Sequence, residues 1–519
     1  MTSSFMEASE GVPNDKRQGR LDIDSGFLSL PLNTLADATL SRGRRLGAQH
    51  VAFRCDRIRR AEVRTRDGKP DGAEDQSDTT FSVRVLFDGG FGFASSVELS
   101  PDEAVRVTDL AVEMARISAR LSEPIEFAGE PVYREAIWVS SYDQNPMEYS
   151  EAARLSVLTD WSQRLLKSPA VDHVYAKIRT AQENKFYADS ANTVTNQQRV
   201  RIYPQVMAIS LGHSDSSFET MRTVGPPAGR GWEYVNGVGW DWNAELAQLP
   251  DLLAEKTRAP SVQAGTYDLL IDASNLWLTI HETIGHATEL DRVLGHEAAF
   301  AGTSFASFDQ LGALRYGSEL MNVTGDRTVE HGLATVGFDD EGVAAQKWDI
   351  VRAGVLVGYQ LDRRMARLKG LNRSNGCAFA ESGAFAPLQR MANISLLSAP
   401  AGPTTDELIA EVKNGIYVVG DRSWSIDMQR SNFQFTGQRF FKIEHGRLAG
   451  QVRNAGYSGT TVPFWNSLVA VGGESSFHLF GADYCGKAQP VQIAAASHGC
   501  PAALFRGVNV INSAQEAAL

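Results

Sequence analysis

Trp277-Leu-Thr-Ile-His281-Glu282-Thr-Ile-Gly285-His286-Ala-Thr-Glu289 places two imidazoles around a carboxylate directly after an apolar run. Neutral imidazole is a good zinc ligand, and a Glu beside a ligand His can reach the water whose proton must leave before it attacks a carbonyl. The pattern points to metallopeptidase chemistry. The familiar zinc-peptidase spacing sets its two His four apart, about 40° around an ideal helix, whereas here they stand five apart, about 140°. A straight α-helix would not aim both at one ion. One wide turn with i to i+5 bonding would, and Gly285 is expected to allow it without a Cβ clash. A helix over 276–294 is therefore predicted, capped by Ser274 or Asn275, ended by Gly295 and widened between His281 and His286. The plainer alternative is two satisfied core histidines on an amphipathic helix.

A second stretch, Tyr484-Cys485-Gly486-Lys487-Ala488-Gln489, weighs against that alternative by supplying a third donor. Gly486 gives a thiolate room to approach a metal, and Lys487 would favour the ionised sulfur. Two His and one Cys leave the fourth tetrahedral position open, as a catalytic zinc site requires. Glu289 is the rival ligand; with Asp291 it is read instead as an outer acceptor for a ligand imidazole or as a solvated helix charge. His296 and Glu297 read as an exposed loop pair. Ser497-His498-Gly-Cys500 is read as a structural turn rather than a Cys/His dyad, since no third group orients it.

Around these stretches the 519-residue chain is too long for one ordinary core, so more than one domain is expected. Residues 1–30 are polar and expected to form a mobile tail. Residues 31–225 read as an α+β domain. His50–Cys55 alternates as a strand, 66–80 reads as a loop or a frayed hairpin connection, and Phe81–Phe87, Asp88-Gly-Gly90 and Phe91–Ser95 make a hairpin. Ser100-Pro101-Asp102-Glu103 opens a helix. Residues 226–260 are a linker with a helix over 242–256. Residues 261–519 become a mostly antiparallel β-rich domain carrying the metal-site helix, with Leu276, Ile280, Ile284, Ala287, Leu290 and Leu294 on a sheet and the other face toward a cleft. The fold class is α+β.

A formal charge of −12 argues against a nucleic-acid or anionic-membrane partner. Four scattered cysteines and no apolar run near twenty residues fit a reducing cytoplasm with no membrane span.

His281-Glu282-Thr-Ile-Gly285-His286 with Glu289 and Asp291, then Cys485-Gly-Lys-Ala-Gln489, resembles the zinc-bearing branch of the TldD/PmbA family. Val83–Ser95, Asn184–Asp189 and Gly358–Asp362 extend the likeness from about residue 35 to the C-terminus. The resemblance implies a cytoplasmic zinc metallopeptidase acting on unfolded or flexible peptides, including leader removal from modified peptide antibiotics and antitoxin degradation. His281, His286 and Cys485 would bind Zn2+ and Glu282 would be the base. It also implies a homologous TldD/PmbA-family subunit or a homodimer enclosing a tunnel, and substrate added as a strand to a sheet edge. The chain departs from the family where an Arg-rich segment is expected, reading Gly376-Cys-Ala-Phe-Ala-Glu381-Ser382 before Pro387-Leu-Gln-Arg390-Met391. Arg390 and Asn393 are candidate peptide-backbone contacts. The rival reading is a non-catalytic peptide-binding or scaffold subunit.

Overall fold

The computed structural model describes residues 22–212 and 218–516. Its first sheet begins with a long hairpin, β1 (His50–Arg66) and β2 (Lys69–Phe87), turned by Asp67 and Gly68, both at positive φ (52° and 73°). That backbone matches the twist of paired strands. The segment expected over 66–80 as a loop or frayed hairpin connection is thus a hairpin turn at 67–68 followed by regular strand. It is polar on both faces, so no apolar alternation marks it, and its ladder is reinforced across the strands by ion pairs such as Arg59 to Asp75 at 2.6 Å.

The strands β3 (Gly90–Ser96), β4 (Ala136–Val139), β5 (His173–Asp189), β6 (Val194–Ser210) and β7 (Glu219–Arg222) complete the sheet in the order β3-β2-β1-β5-β6-β4, with β7 on β6. Helices Leu32–Arg45 and Pro101–Ser118 cover one end through Leu35, Val107 and Ala111 against Phe53, Phe81 and Val83. Ser100 caps the second, accepting from Glu103 N at 3.2 Å. Two expectations change here. Order starts before residue 31: Ser25–Leu28 is helical, capped by Asp24, and buries Phe27; the rest of the expected tail, 1–21, lies outside the described residues. The helix Trp242–Arg258, expected in a linker, packs Leu246, Leu249 and Leu253 against Trp161, Val174 and Ile202 of the first layer.

Beyond residue 264 the structure is β-rich. Strands Asn414–Ile426, Gly265–Ile271, Ala503–Asn512, Ala455–Thr460 and Asn432–Glu444 pair in that order, and the last also pairs with the first, closing a ring. All pairs are antiparallel except Gly265–Ile271 with Asn414–Ile426. A smaller sheet contains Val323–Asp326 and Asn393–Leu396, and a separate hairpin joins His478–Lys487 to Gln492–Cys500. The helix Ala273–Ile280 lies between the ring and these elements with all eight residues buried. The expected cleft-facing side is therefore covered, because strands pack on both flanks.

A polar seam joins the two parts. Lys185 donates to Asp340 at 2.7 Å, Arg199 donates to Leu333 O at 3.0 Å, and Arg84 meets Glu341. Buried charges persist when paired and hydrogen-bonded.

Candidate metal centre

Asp272 starts the central helix by accepting from Ser274 N at 2.9 Å, which moves the cap two or three residues ahead of the expected Ser274 or Asn275. Asp is among the preferred capping residues. From His281 to Gly285 the helix widens, with His286 N–H bonded to His281 O, the i to i+5 bond that the five-residue spacing demands. The two imidazole rings then sit 4.7 Å apart at 78°. Gly285 has ordinary helical angles (φ −53°, ψ −61°), and the Cβ clash it avoids is with a packed neighbour rather than within the widened turn. A Cβ there would lie 2.6 Å from Met391 Sδ, so glycine admits a close neighbour.

The helix does not run on to Leu294. At Glu289 the chain turns extended, with ψ 113°, because Gln360 N–H binds Thr288 O at 2.9 Å and Gln360 O accepts Leu290 N–H at 3.2 Å. Helical bonding resumes over Leu290–Val293 and stops at Gly295, φ +86°.

Cys485 reaches the imidazoles from the hairpin, where pairing slips between Ala482 and Cys485. Its Sγ lies 3.4 Å from His286 Nε2, and one ligand atom each of His281, His286 and Cys485 fall within 4.8 Å of one another. The edge of a tetrahedron with Zn–N and Zn–S arms is about 3.6 Å. Arg390 holds the Cys485 strand from behind, donating to Cys485 O at 2.5 Å and Gln492 O at 2.7 Å.

Hydrogen bonds set both imidazole tautomers. His498 Nδ1 faces the carbonyl of Ile394 at 3.0 Å and so carries the proton, which leaves Nε2 to accept from His281 Nδ1 at 2.7 Å. His281 Nε2 then keeps a free lone pair. Likewise His286 Nδ1 donates to Glu289 at 2.9 Å and frees its Nε2. Burial holds His281, His286 and, most strongly, His498 below the usual imidazole range, so all three are neutral. Burial raises the Cys485 thiol, yet Arg390 and the imidazole of His286, the latter only in its protonated form, act against it and bring the group below its ordinary value.

Lys487, expected to favour the thiolate, points elsewhere: its Nζ is 2.7 Å from Asp291, 2.8 Å from Gln389 O and 3.3 Å from Glu289. With Arg292, 3.1 Å from Glu289, it makes a buried cluster of two carboxylates and two cations. Burial opposes the charge on Glu289, but Lys487 and Arg292 hold its carboxyl well below the usual range. Asp291 faces Lys487 rather than an imidazole. Glu297 is buried and accepts from Ala488 N at 3.2 Å, so only His296 of that pair is exposed.

Glu282 is buried, and its Oε2 accepts from Arg430 Nη1 at 2.8 Å. Arg430 stands at φ +62° in the turn after Asn414–Ile426. Nothing near it in sequence hints at this contact. His498 lies in a strand, not a turn, and its Cys500 neighbour turns its Sγ to Ala273 O at 3.6 Å. Asn393 is fully buried, donating to Asp326 O at 2.8 Å and accepting from Ala334 N at 2.9 Å, so its polar atoms are spent on the chain itself, as are both Nη atoms of Arg390.

Two neutral imidazole lone pairs and a thiol with a lowered pKa form the donor set of a zinc site with one position open, so the residues fit that metal. Residues 264–512 match the PmbA/TldA metallopeptidase C-terminal domain and residues 51–115 match its domain 1. A metalloprotease of Methanocaldococcus jannaschii is 26% identical over 436 residues, 82% of this chain and 89% of that protein. A zinc metalloprotease TldD homolog of Saccharolobus solfataricus is 27% identical over 230 residues, 44% of this chain and 49% of that protein. In fold, TldE of Thermococcus kodakarensis superposes with a TM-score of 0.69 at 15% identity, covering 92% of this chain and 99% of that one. With both domain matches in chain order around this geometry, the chain belongs to the PmbA/TldD family of metallopeptidases.

Proposed function

We propose that this chain is a zinc-dependent peptidase hydrolysing flexible or unfolded peptides, with His281, His286 and Cys485 as ligands and Glu282 as the base. The observation that carries the reading is the convergence of three donor atoms within 4.8 Å, both imidazoles having their outer nitrogens occupied. A zinc ion held there would supply Lewis acidity to a water and to the peptide carbonyl that it attacks. Glu282 takes the proton of that water and delivers it to the leaving amine. Arg430 occupies Oε2 and fixes the carboxylate, which leaves Oε1 for the proton. Arg390 and Asn393 position the Cys485 hairpin and the adjoining strand rather than the peptide.

The fold likeness to TldE supports a homologous or identical partner subunit. Four unpaired cysteines support a reducing, cytoplasmic setting, and among the described residues no helix is long and apolar enough to cross a membrane.

The test is zinc quantification on wild type and Cys485→Ala, with digestion of a denatured protein by wild type and Glu282→Gln. Zinc lost in the first variant, and zinc kept with digestion reduced roughly 100-fold or more in the second, are the expected results. Undiminished digestion by Glu282→Gln overturns the assigned base. Zinc bound by a wild type that digests nothing marks a non-catalytic subunit instead.

A further inference from the structure

A cavity of about 380 Å³ lies between the first sheet and the Asp483-Tyr484 bulge, one residue from Cys485. Its volume is in the range of ligand sites. Its floor follows from register. Arg60 of β1 pairs with Ala181 of β5, which pairs with Arg201 of β6, so two arginines on one face flank a small residue across three neighbouring strands. At about 4.8 Å per strand, their backbones are about 10 Å apart, and a shallow seat opens over Ala181. The next row, Glu62, Arg179 and Tyr203, follows the same pairing.

Of the four guanidinium groups here, Arg64 and Arg179 are held by Glu62, whereas Arg60 and Arg201 are under-used. Among the described residues Arg60 donates no hydrogen bond from its side chain and only approaches Glu381, at 3.6 Å. Arg201 binds Glu183 at 2.9 Å through one Nη, but its Nε is buried without a partner and its other Nη is 3.9 Å from Asp483. Arg179 Nη1 stands 3.7 Å from the same carboxylate. These distances across the cavity exceed hydrogen-bond lengths. Charge-assisted bonding to a carboxylate is the strongest use of such a group.

We infer that this cavity is a subsite for a carboxylate of the bound peptide, taken by Arg60 and Arg201 over Ala181, with Asp483 and Glu381 as the anions it displaces. The inference rests on the peptidase reading for what the ligand is, and it names the substrate class: peptides whose C-terminal carboxylate or Asp/Glu side chain falls beside the Cys485 hairpin.

Binding is measured apart from cleavage, by fluorescence anisotropy on zinc-loaded Glu282→Gln. The probes are one labelled neutral hexapeptide with a free C-terminus, its C-terminal amide, and an amide carrying one Glu. The acid, the Glu peptide or both should bind about 10- to 100-fold tighter than the neutral amide, and which one does identifies the source of the carboxylate. Adding Arg60→Gln, an exposed side chain without hydrogen bonds whose loss does not threaten folding, should remove most of that preference. Adding Asp483→Asn should increase it. Equal binding of all three peptides, no binding of any, or a preference untouched by Arg60→Gln overturns the subsite. Cleavage of the neutral amide by wild type is scored separately, so the subsite can fail while the peptidase reading stands, and carboxylate-selective binding without any cleavage separates them the other way.

Discussion

Replacing Glu289 with Gln keeps its shape and removes one charge from the cluster behind His286. In the native protein Glu289 and Asp291 balance Arg292 and Lys487, all buried. The variant leaves one uncompensated positive charge in a dry site. Removing one partner of a buried pair costs about 3–5 kcal/mol. Lys487 keeps Asp291 at 2.7 Å and Gln389 O at 2.8 Å, and Arg292 keeps Ala301 O, so about 2–3 kcal/mol is expected here. The Gln oxygen can still accept from His286 Nδ1, so the tautomer survives while the imidazole loses a basic partner, and zinc affinity should fall about tenfold. Urea denaturation of metal-free protein measures the first quantity, and chelator competition for zinc the second. The native carboxyl is held below its unfolded value, so its contribution is present above about pH 4.3 and is lost as pH falls through the folded pKa. The gap between wild type and variant should therefore narrow in strong acid. Unchanged metal-free stability together with unchanged zinc affinity would refute the argument that Glu289 neutralises the cluster and orients the ligand.

Two further outcomes follow from burial. His281, His286 and His498 are held neutral below the unfolded imidazole value of about 6.5, so the unfolded state binds more protons below that pH. Their contribution to metal-free stability should fall as pH drops through 6.5, by up to about 1.4 kcal/mol per unit for each histidine, and His498→Gln should lower the slope by up to that amount in a pH series of urea melts. Phe27→Ala should cost about 3–5 kcal/mol by the same melts, because Phe27 is fully buried against the first sheet; a cost near zero would show that Ser25–Leu28 adds nothing to the core.

Much of the candidate site follows from local rules alone. Two His five apart can serve one ion only through a wide turn, and the chain has one there. The Asp88-Gly89 hairpin, the Ser100 cap and the α+β layering follow likewise from turn chemistry and periodicity, which act between residues a few positions apart. The polar first half of β2 is the opposite case: its order comes from pairing with β1, and no apolar alternation within it announces a strand.

Tertiary structure alone decided which distant side chains meet. His498 fixes the tautomer of His281 from 217 positions away, Arg430 takes Glu282 from 148 away, and Lys487 turns from the thiol to Asp291 and Glu289. Such contacts depend on how strands and turns stack in three dimensions, and a His or Arg carries no mark in its own neighbourhood of the partner it will face. Sequence determined the ligand types and the local geometry that could aim them; the surroundings that hold each proton and each charge arise only when the hairpin, the central helix and the strand turn close on one another.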